Sequence, residues 1–168
     1  MTARRAALAA ALIAAASSVA AEAETTGCGA FRWPIETERA ALMGQKTAVA
    51  NGGALRYGQA LELELQPFAE AGLPRPPERA PRASPSFAGH FALPAPAKPG
   101  LYKVTIASDA WIDVVDNGAF LHPRAFSGAQ GCDGARKSVE FELPPCALDV
   151  QLSGVRDARI GLIITPAQ

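Results

Sequence analysis

Three aspartates lie close together in the stretch Asp109–Phe120, which reads DAWIDVVDNGAF. Asp109, Asp113 and Asp116 have the chemistry either to bind a calcium ion or to act as acid–base groups. Calcium prefers about six to eight oxygen ligands that converge from one loop, and a positioned carboxylate can transfer a proton. The backbone geometry around the three carboxylates decides whether they converge.

The Asn-Gly pair at positions 117–118 predicts a two-residue type I′ hairpin turn. In that hairpin Asp113 pairs with His122 across the two strands, and Trp111 pairs with Arg124. Side chains alternate between the faces of a strand, so these four side chains share one face. The sequence therefore predicts a mixed polar and aromatic group on one side of the hairpin.

The same hairpin separates the aspartates. Asp113 joins the predicted group, Asp116 points to the opposite face beside the turn, and Asp109 precedes the strand. Diverging carboxylates do not build a calcium cage. An iron site with two histidines and one carboxylate would need both His90 and His122, which do not lie in an H-x-D/E frame. We therefore predict no metal and no cofactor.

Asp113 and His122 are weak candidates for catalysis. A carboxylate can orient an imidazole and raise its pKa, but a hydrolase also needs a nucleophile and an oxyanion hole. The chain has no G-x-S-x-G motif. A polar cross-strand pair worth roughly 0.2–1 kcal/mol is the alternative that we favour. Trp111, Arg124 and Tyr102 are candidate contacts for a binding partner.

Short strands are the elements that position these residues. Apolar and polar residues alternate with a period of two in further stretches, which is typical of strands with one buried face. These stretches are Leu61–Phe68, Phe87–Leu93, Leu101–Ala107, Ser138–Leu143, Leu148–Ser153 and Arg159–Thr165. We predict an all-β fold, an antiparallel, jelly-roll-like β-sandwich of about eight strands. Pro34 and Gly44 favour one short N-terminal helix from about Ile35 to Met43.

The segment Leu73–Pro99 contains eight prolines and several basic residues, among them Arg75, Arg79 and Arg82. One interpretation is a docked proline-rich binding segment. The interpretation that we favour is an irregular surface connection, or edge-strand material protected by proline, which contains Phe87–Leu93.

The first 23 residues have the features of a secretory signal peptide. MTARR is a positively charged start, AALAAALIAAASSV is a short apolar region, and AEA at 21–23 is a cleavage signal. The apolar region falls short of the roughly 18 residues that a spanning helix needs. We expect a single domain at 24–168, no stable membrane span after cleavage, and a periplasmic or secreted location.

The three cysteines suggest one disulfide and one free thiol in an exported protein. Cys132 and Cys146 flank a predicted strand, whose rise of ~3.3 Å per residue holds its ends apart. Bridged Cα atoms must lie within about 7 Å of each other. The turns on each side of this strand could still bring Cys132 and Cys146 together, but we favour a Cys28–Cys132 disulfide, which would tie the mature N-terminus to a loop.

The charges do not favour a nucleic-acid partner. The chain carries 16 basic and 16 acidic residues, a net charge of zero with neutral histidines. A protein that binds nucleic acid or anionic lipid usually carries an excess of positive charge. An envelope protein or a glycan is the partner that we expect.

Several stretches of the mature chain carry a resemblance. Phe31–Met43, GLYKVTIASDAWIDVVDNG, FSGAQGCDGARKSVEFELP and VQLSG resemble a small, functionally uncharacterised family of exported bacterial proteins. Some members carry the label homogentisate 1,2-dioxygenase, which implies a much longer cupin-type enzyme whose motifs this chain does not show. The C-terminal half is similar to the pre-peptidase C-terminal β-sandwich domains of secreted peptidases, and that similarity also implies a β-sandwich.

Two functional classes follow. In the favoured one, the protein is a non-catalytic exported β-sandwich with a binding or structural role in the cell envelope. In the alternative, it is a small enzyme that uses Asp113 and His122, either a hydrolase or the iron dioxygenase that the label suggests. A pocket with converging polar groups at Asp113 and His122 favours the enzyme, and a flat or convex face favours binding.

Overall fold

The computed structural model describes residues 26–82 and 84–167, so the predicted signal peptide at 1–23 lies outside the described residues. These residues form one α-helix, α1 (Glu36–Met43), as predicted. Their strands are β1 (Thr47–Val49), β2 (Leu61–Glu64), β3 (Gln66–Pro67), β4 (Phe87–Leu93), β5 (Gly100–Ile106), β6 (Trp111–Asp116), β7 (Ala119–Leu121), β8 (Ala125–Gly128), β9 (Lys137–Leu143), β10 (Leu148–Val155) and β11 (Arg159–Pro166). No helix in the described residues is long and apolar enough to cross a membrane.

The strands form the two sheets of a β-sandwich. One sheet has the order β1-β2-β11-β5-β9-β8, and the other has the order β3-β4-β10-β6-β7. All strand pairs within the described residues are antiparallel except β1 with β2. Eight strands follow the jelly-roll arrangement, with β2-β11-β5-β9 opposite β4-β10-β6-β7. The predicted fold class is confirmed, and the short strands β1, β3 and β8 extend the sheet edges.

One apolar core lies between the two sheets. The alternation read in the sequence places Leu61 and Leu63 of β2 in this core, while Glu62 points away from it. Phe91 and Phe141, which are among the largest fully buried side chains, come from opposite sheets. Complete burial of one such side chain stabilises the fold by about 1.5–3 kcal/mol. Burial of the apolar face of each strand therefore stabilises the packing of the two sheets.

The N-terminal segment and α1 cover the outer face of the six-stranded sheet. Trp33 donates a 3.2 Å hydrogen bond from its indole nitrogen to the hydroxyl of Ser138 on β9. Glu38 of α1 forms a buried ion pair with Lys103 of β5, with Nζ and Oε1 2.7 Å apart. Beneath this cover Lys103, Thr105 and Ser138 are buried and each has a polar partner.

A disulfide joins Cys28 to Cys132, with their Cα atoms 4.6 Å apart. The predicted bridge is confirmed, and Cys146 is a free thiol. Ile35 and Ala135 pack beside the bridge in a second, smaller core. Disulfides persist in oxidising compartments, so the bridge indicates an oxidising, extracytoplasmic environment.

Residues 73–82, here called the strap, cross the outer face of the five-stranded sheet. Gln151 of β10 holds the strap through Arg75, because its Oε1 accepts from the Arg75 N–H at 2.9 Å and its Nε2 donates to the Arg75 carbonyl at 3.2 Å. Proline has no N–H group, so a proline-rich segment leaves few backbone donors to satisfy there. The predicted irregular surface connection is therefore observed for residues 73–82. β4 is not an edge strand, because it pairs with both β3 and β10.

Candidate functional site

The hairpin predicted from Asn117-Gly118 forms. Asn117 and Gly118 have φ angles of 46° and 81°, the left-handed conformations that a type I′ turn requires. Asp116 pairs with Ala119, and Val115 pairs with Phe120. The turn and its register are therefore confirmed for the three residue pairs next to it.

The predicted pairing farther from the turn is wrong. The β6–β7 ladder ends at Leu121, and the chain then crosses to the other sheet, where the Arg124 N–H donates to the Glu140 carbonyl of β9 at 2.8 Å. Pro123 has no N–H for a longer ladder. Thus His122 does not pair with Asp113 on the strands, nor Arg124 with Trp111.

β10 supplies the cross-strand neighbours that the hairpin does not. Asp113 lies opposite Gln151, and Trp111 lies opposite Ser153. All four residues are on the outer face of the five-stranded sheet, because the alternate residues of β6 and β10 enter the core. The strap covers this face.

Asp113 is 3% exposed and anchors the strap. Its carboxylate accepts hydrogen bonds from the Trp111 indole at 2.7 Å and from the Glu78 backbone N–H at 3.3 Å. Burial raises the pKa of Asp113, although these two hydrogen bonds act against the increase. The His122 side chain is 82% exposed and lies 3.7 Å from the Glu78 carboxylate. Asp113 and His122 thus have different polar partners.

The aspartates occupy different environments. Asp109 pairs with Arg136 at 3.2 Å, and Asp116 accepts hydrogen bonds from Asn117 and Cys146. They therefore diverge, as the hairpin predicts. No group of three or more histidine, cysteine or acidic side chains in the described residues has the geometry to hold a metal ion.

The two histidines are far apart. His90 lies on β4 and His122 directly follows β7, with β10 and β6 between those strands. Neighbouring strands are about 4.8 Å apart, so three steps separate the two by about 14 Å. An iron site that uses both histidines is incompatible with this arrangement.

Tyr102 and Arg124, two of the three candidate binding residues, do not lie beside Trp111 beneath the strap. Tyr102 is buried in the main core, where its ring lies 5.2 Å from the ring of Tyr57, and its hydroxyl donates to the Lys98 carbonyl. Arg124 is exposed where the chain crosses between the sheets. Trp111, the third candidate, lines a cavity in the described part of the chain.

That cavity is a cleft of about 350 Å³ between the strap and the sheet. Its volume is within the range of small-molecule sites, roughly 300–1,000 Å³. The walls come from the strap, the turn before β6 and the first residue of β6, the start of β9, the end of β10 and the turn after β10. The lining residues are Arg79, Ala80, Pro81, Arg82, Asp109, Ala110, Trp111, Lys137, Ser153, Gly154 and Arg156.

Positive charge dominates the cleft. The lining contains four cationic side chains, those of Arg79, Arg82, Lys137 and Arg156, and one carboxylate, that of Asp109. Among the described residues, no carboxylate lies within 4.0 Å of the guanidinium nitrogens of the three arginines. Their charges are therefore available to a ligand.

Two of the cations lie near the ring of Trp111, the first residue of β6. The guanidinium carbon of Arg79 is 4.5 Å from its ring centroid, and Nζ of Lys137 is 5.9 Å from it. Lys137 also donates a 2.6 Å hydrogen bond to the Ala110 carbonyl. Burial lowers the pKa of Lys137, and the charges of Arg136, Arg79 and Arg82 lower it further, while Asp109 opposes them.

Ser153 is the uncharged polar side chain of this lining. The residue is 1% exposed, and its hydroxyl has no hydrogen-bond partner among the described residues. Buried hydroxyls are nearly always paired. Ser153 is therefore an unsatisfied donor and acceptor beside the cationic groups.

The sequence indicated only part of this cleft. The sequence identifies Trp111 as a candidate binding residue, and it shows basic residues in the proline-rich segment, including Arg79 and Arg82. Lys137, Ser153 and Arg156 carry no local signal, since each is one polar residue in an alternating strand or a turn. Only the fold brings them together.

Comparisons with family models, with curated proteins and with solved structures found no match for this chain.

Proposed function

We propose that this protein is a non-catalytic binding protein of the periplasm or the exterior, and that it binds an anionic component of the cell envelope in the cleft beneath the strap. The observation that carries the proposal is the concentration of uncompensated cations around Trp111. The whole chain has a net charge of zero, so this positive charge is local. Clefts lined by one sign of charge raise the local concentration of oppositely charged ligands.

An exported location fits the molecule. The predicted signal peptide, the resemblance to exported bacterial proteins and the disulfide between Cys28 and Cys132 all favour it. A negatively charged envelope glycan, or a negatively charged segment of an envelope protein, would fit the cleft better than a neutral one, because the arginines have no acidic partners.

The enzyme alternative has less support. Asp113 accepts hydrogen bonds from Trp111 and from the strap, so its carboxylate has structural partners and little exposure. His122 contacts Glu78 instead. A general base must lie within hydrogen-bond reach of the proton that it removes, and neither Asp113 nor His122 lines the cleft that contains the Ser153 hydroxyl.

The test uses Trp111 as the reporter. The chain has two tryptophans, so a Trp33→Phe variant leaves the fluorescence of Trp111 alone. This variant is titrated with glucose, glucuronate and glucose 6-phosphate at low and high salt. We expect at least one anion to change the Trp111 emission, with an affinity that falls as salt increases, and no response to glucose.

Charge removal provides the matched control. Arg82→Gln with Arg156→Gln should weaken anion binding, while Arg56→Gln, an exposed arginine outside the lining, should not. The proposal is wrong if neither anion binds, or if the two cleft substitutions and the Arg56 substitution have equal effects.

A further inference from the structure

We infer that the cleft recognises a phosphate monoester, whose phosphate oxygens take the free donors of the cleft arginines and the hydroxyl of Ser153. This inference rests on the proposed anion-binding function and specifies its ligand. The two observations that carry it are independent of each other: the uncompensated cations, and the buried hydroxyl without a partner.

The Ser153 hydroxyl points to a ligand because it contributes no hydrogen bond to the fold. A buried polar group without a hydrogen-bond partner destabilises the fold, and alanine would avoid that penalty. Ser153 lies directly across the strands from Trp111, which lines the same cleft as the cations. A ligand oxygen at this position would supply the missing partner.

Charge favours phosphate over a single carboxylate. Four cationic residues line the cleft, and its one carboxylate, that of Asp109, already pairs with Arg136. A phosphate monoester carries nearly two negative charges at neutral pH, so it balances more of this positive charge than a monocarboxylate does.

Geometry favours phosphate as well. The donors come from separate elements, with Arg79 and Arg82 on the strap, Lys137 on β9 and Ser153 on β10. A phosphate monoester has three terminal oxygens pointing in different directions, and guanidinium groups bind such oxygens in bidentate pairs. A carboxylate has two oxygens in one plane and can satisfy fewer of these donors.

The size of the cleft and its aromatic wall favour an ester over free phosphate. A cleft of about 350 Å³ is in the size range of sites for small organic molecules. Trp111 contributes an aromatic wall for the organic part, beside the cations that hold the phosphate. A phosphorylated sugar satisfies both features.

The strap has to shift for a ligand oxygen to reach Ser153. Pro81 lies next to Gly154, the residue after Ser153, and the Ser153 hydroxyl is buried. Ligand binding is therefore coupled to the position of the strap.

Calorimetric titration of the purified protein tests the inference with inorganic phosphate, glucose 6-phosphate and glucuronate. We expect glucose 6-phosphate to bind most tightly. Ser153→Ala should weaken its binding about tenfold or more, as expected when a hydrogen bond to a charged group is lost. The same substitution should leave the thermal midpoint unchanged or raised. Arg56→Gln is the control and should bind like the wild type.

Vesicles identify the source of the phosphate monoester. Phosphatidylcholine vesicles with and without phosphatidic acid present such a group at a membrane surface. Binding to glucose 6-phosphate alone assigns a soluble or glycan-borne phosphate, whereas binding to the phosphatidic acid vesicles assigns a lipid headgroup. Either result supports phosphate monoester recognition, and binding to neither overturns it.

Two other results also overturn the inference. In one, glucuronate binds as tightly as glucose 6-phosphate, which leaves the anion-binding function intact but removes the phosphate preference. In the other, Ser153→Ala binds glucose 6-phosphate as the wild type does. If no anion binds at all, the proposed function itself fails.

Discussion

Replacement of Lys103 by methionine should destabilise the protein strongly at neutral pH. Nζ of Lys103 lies 2.7 Å from Oε1 of Glu38, and the two side chains are 8% and 5% exposed. Methionine has nearly the same shape but no charge. The substitution therefore leaves the Glu38 carboxylate buried without its counterion, beneath the helix that covers the six-stranded sheet.

The expected loss is about 3–5 kcal/mol, the range observed when one partner of a buried ion pair is removed. At 2.7 Å and an effective dielectric constant of about 20, the attraction alone is about 6 kcal/mol. The variant recovers part of this because it no longer buries the lysine charge. Thr165 still donates a 2.7 Å hydrogen bond to Glu38, which also moderates the loss.

The loss should shrink as the pH falls. Burial opposes the charged form of Glu38, but the hydrogen bonds from Lys103 and Thr165 and the charge of Lys103 outweigh it, so the pKa of Glu38 lies below its ordinary value of 4.5. A lowered folded-state pKa stabilises the wild type above the unfolded-state pKa, and this stabilisation is lost as the pH falls through the folded-state pKa. In the Lys103→Met variant, burial raises the pKa of Glu38. Glu38 is therefore protonated in mild acid, which removes the unpaired buried charge and reduces the loss of stability.

Urea unfolding followed by far-ultraviolet circular dichroism at pH 7 and near pH 4 measures both effects. The double variant Glu38→Gln, Lys103→Met is the matched control, because glutamine is neutral and still accepts from Thr165. It should recover most of the stability. A loss at pH 7 below about 1 kcal/mol, which is typical of an exposed pair, refutes the reasoning. A loss of equal size at both pH values also refutes it.

Three further predictions concern the strap, the cleft and the disulfide. Gln151→Met should cost about 1–3 kcal/mol and speed hydrogen exchange at the Arg75 amide; unchanged exchange would contradict its anchoring role. Anion affinity should fall as the pH rises through the pKa of Lys137, because the anion prefers the protonated amine. Burial lowers this pKa, and the charges of Arg136, Arg79 and Arg82 lower it further, while Asp109 raises it. Lys137→Met should flatten the pH profile in the same titrations. Cys28→Ser with Cys132→Ser opens a loop of 104 residues and should cost about 2–5 kcal/mol in chemical denaturation; a smaller loss would show that the second core holds this segment without the bridge.

Local patterns predicted the strands and the turn. Alternation at Leu61, Leu63 and their counterparts identifies the core faces, because a strand repeats every two residues. Asn117 and Gly118 identify the turn, because few other residues adopt the left-handed backbone that it needs. Both signals depend on neighbouring residues, so the sequence carries them without knowledge of the fold.

The extent of the hairpin was not predictable in the same way. The alternation does not show where β7 stops, and pairing His122 with Asp113 assumes that the ladder continues. The jelly-roll connection takes the chain to the other sheet after Leu121. Asp113 thus acquires its partners from β10 and the strap, which are distant in sequence.

The sequence by itself determined the all-β class, the short helix, the Asn-Gly turn and the preferred cysteine pair, because strand periodicity, turn chemistry and chain reach are local properties. Only the tertiary structure decided the candidate site. Arg79, Lys137 and Ser153 come from the strap, β9 and β10, and none has a spacing that relates it to the others. They share a cleft because strand order and the path of the strap place them together, and that placement depends on the packing of the whole sandwich.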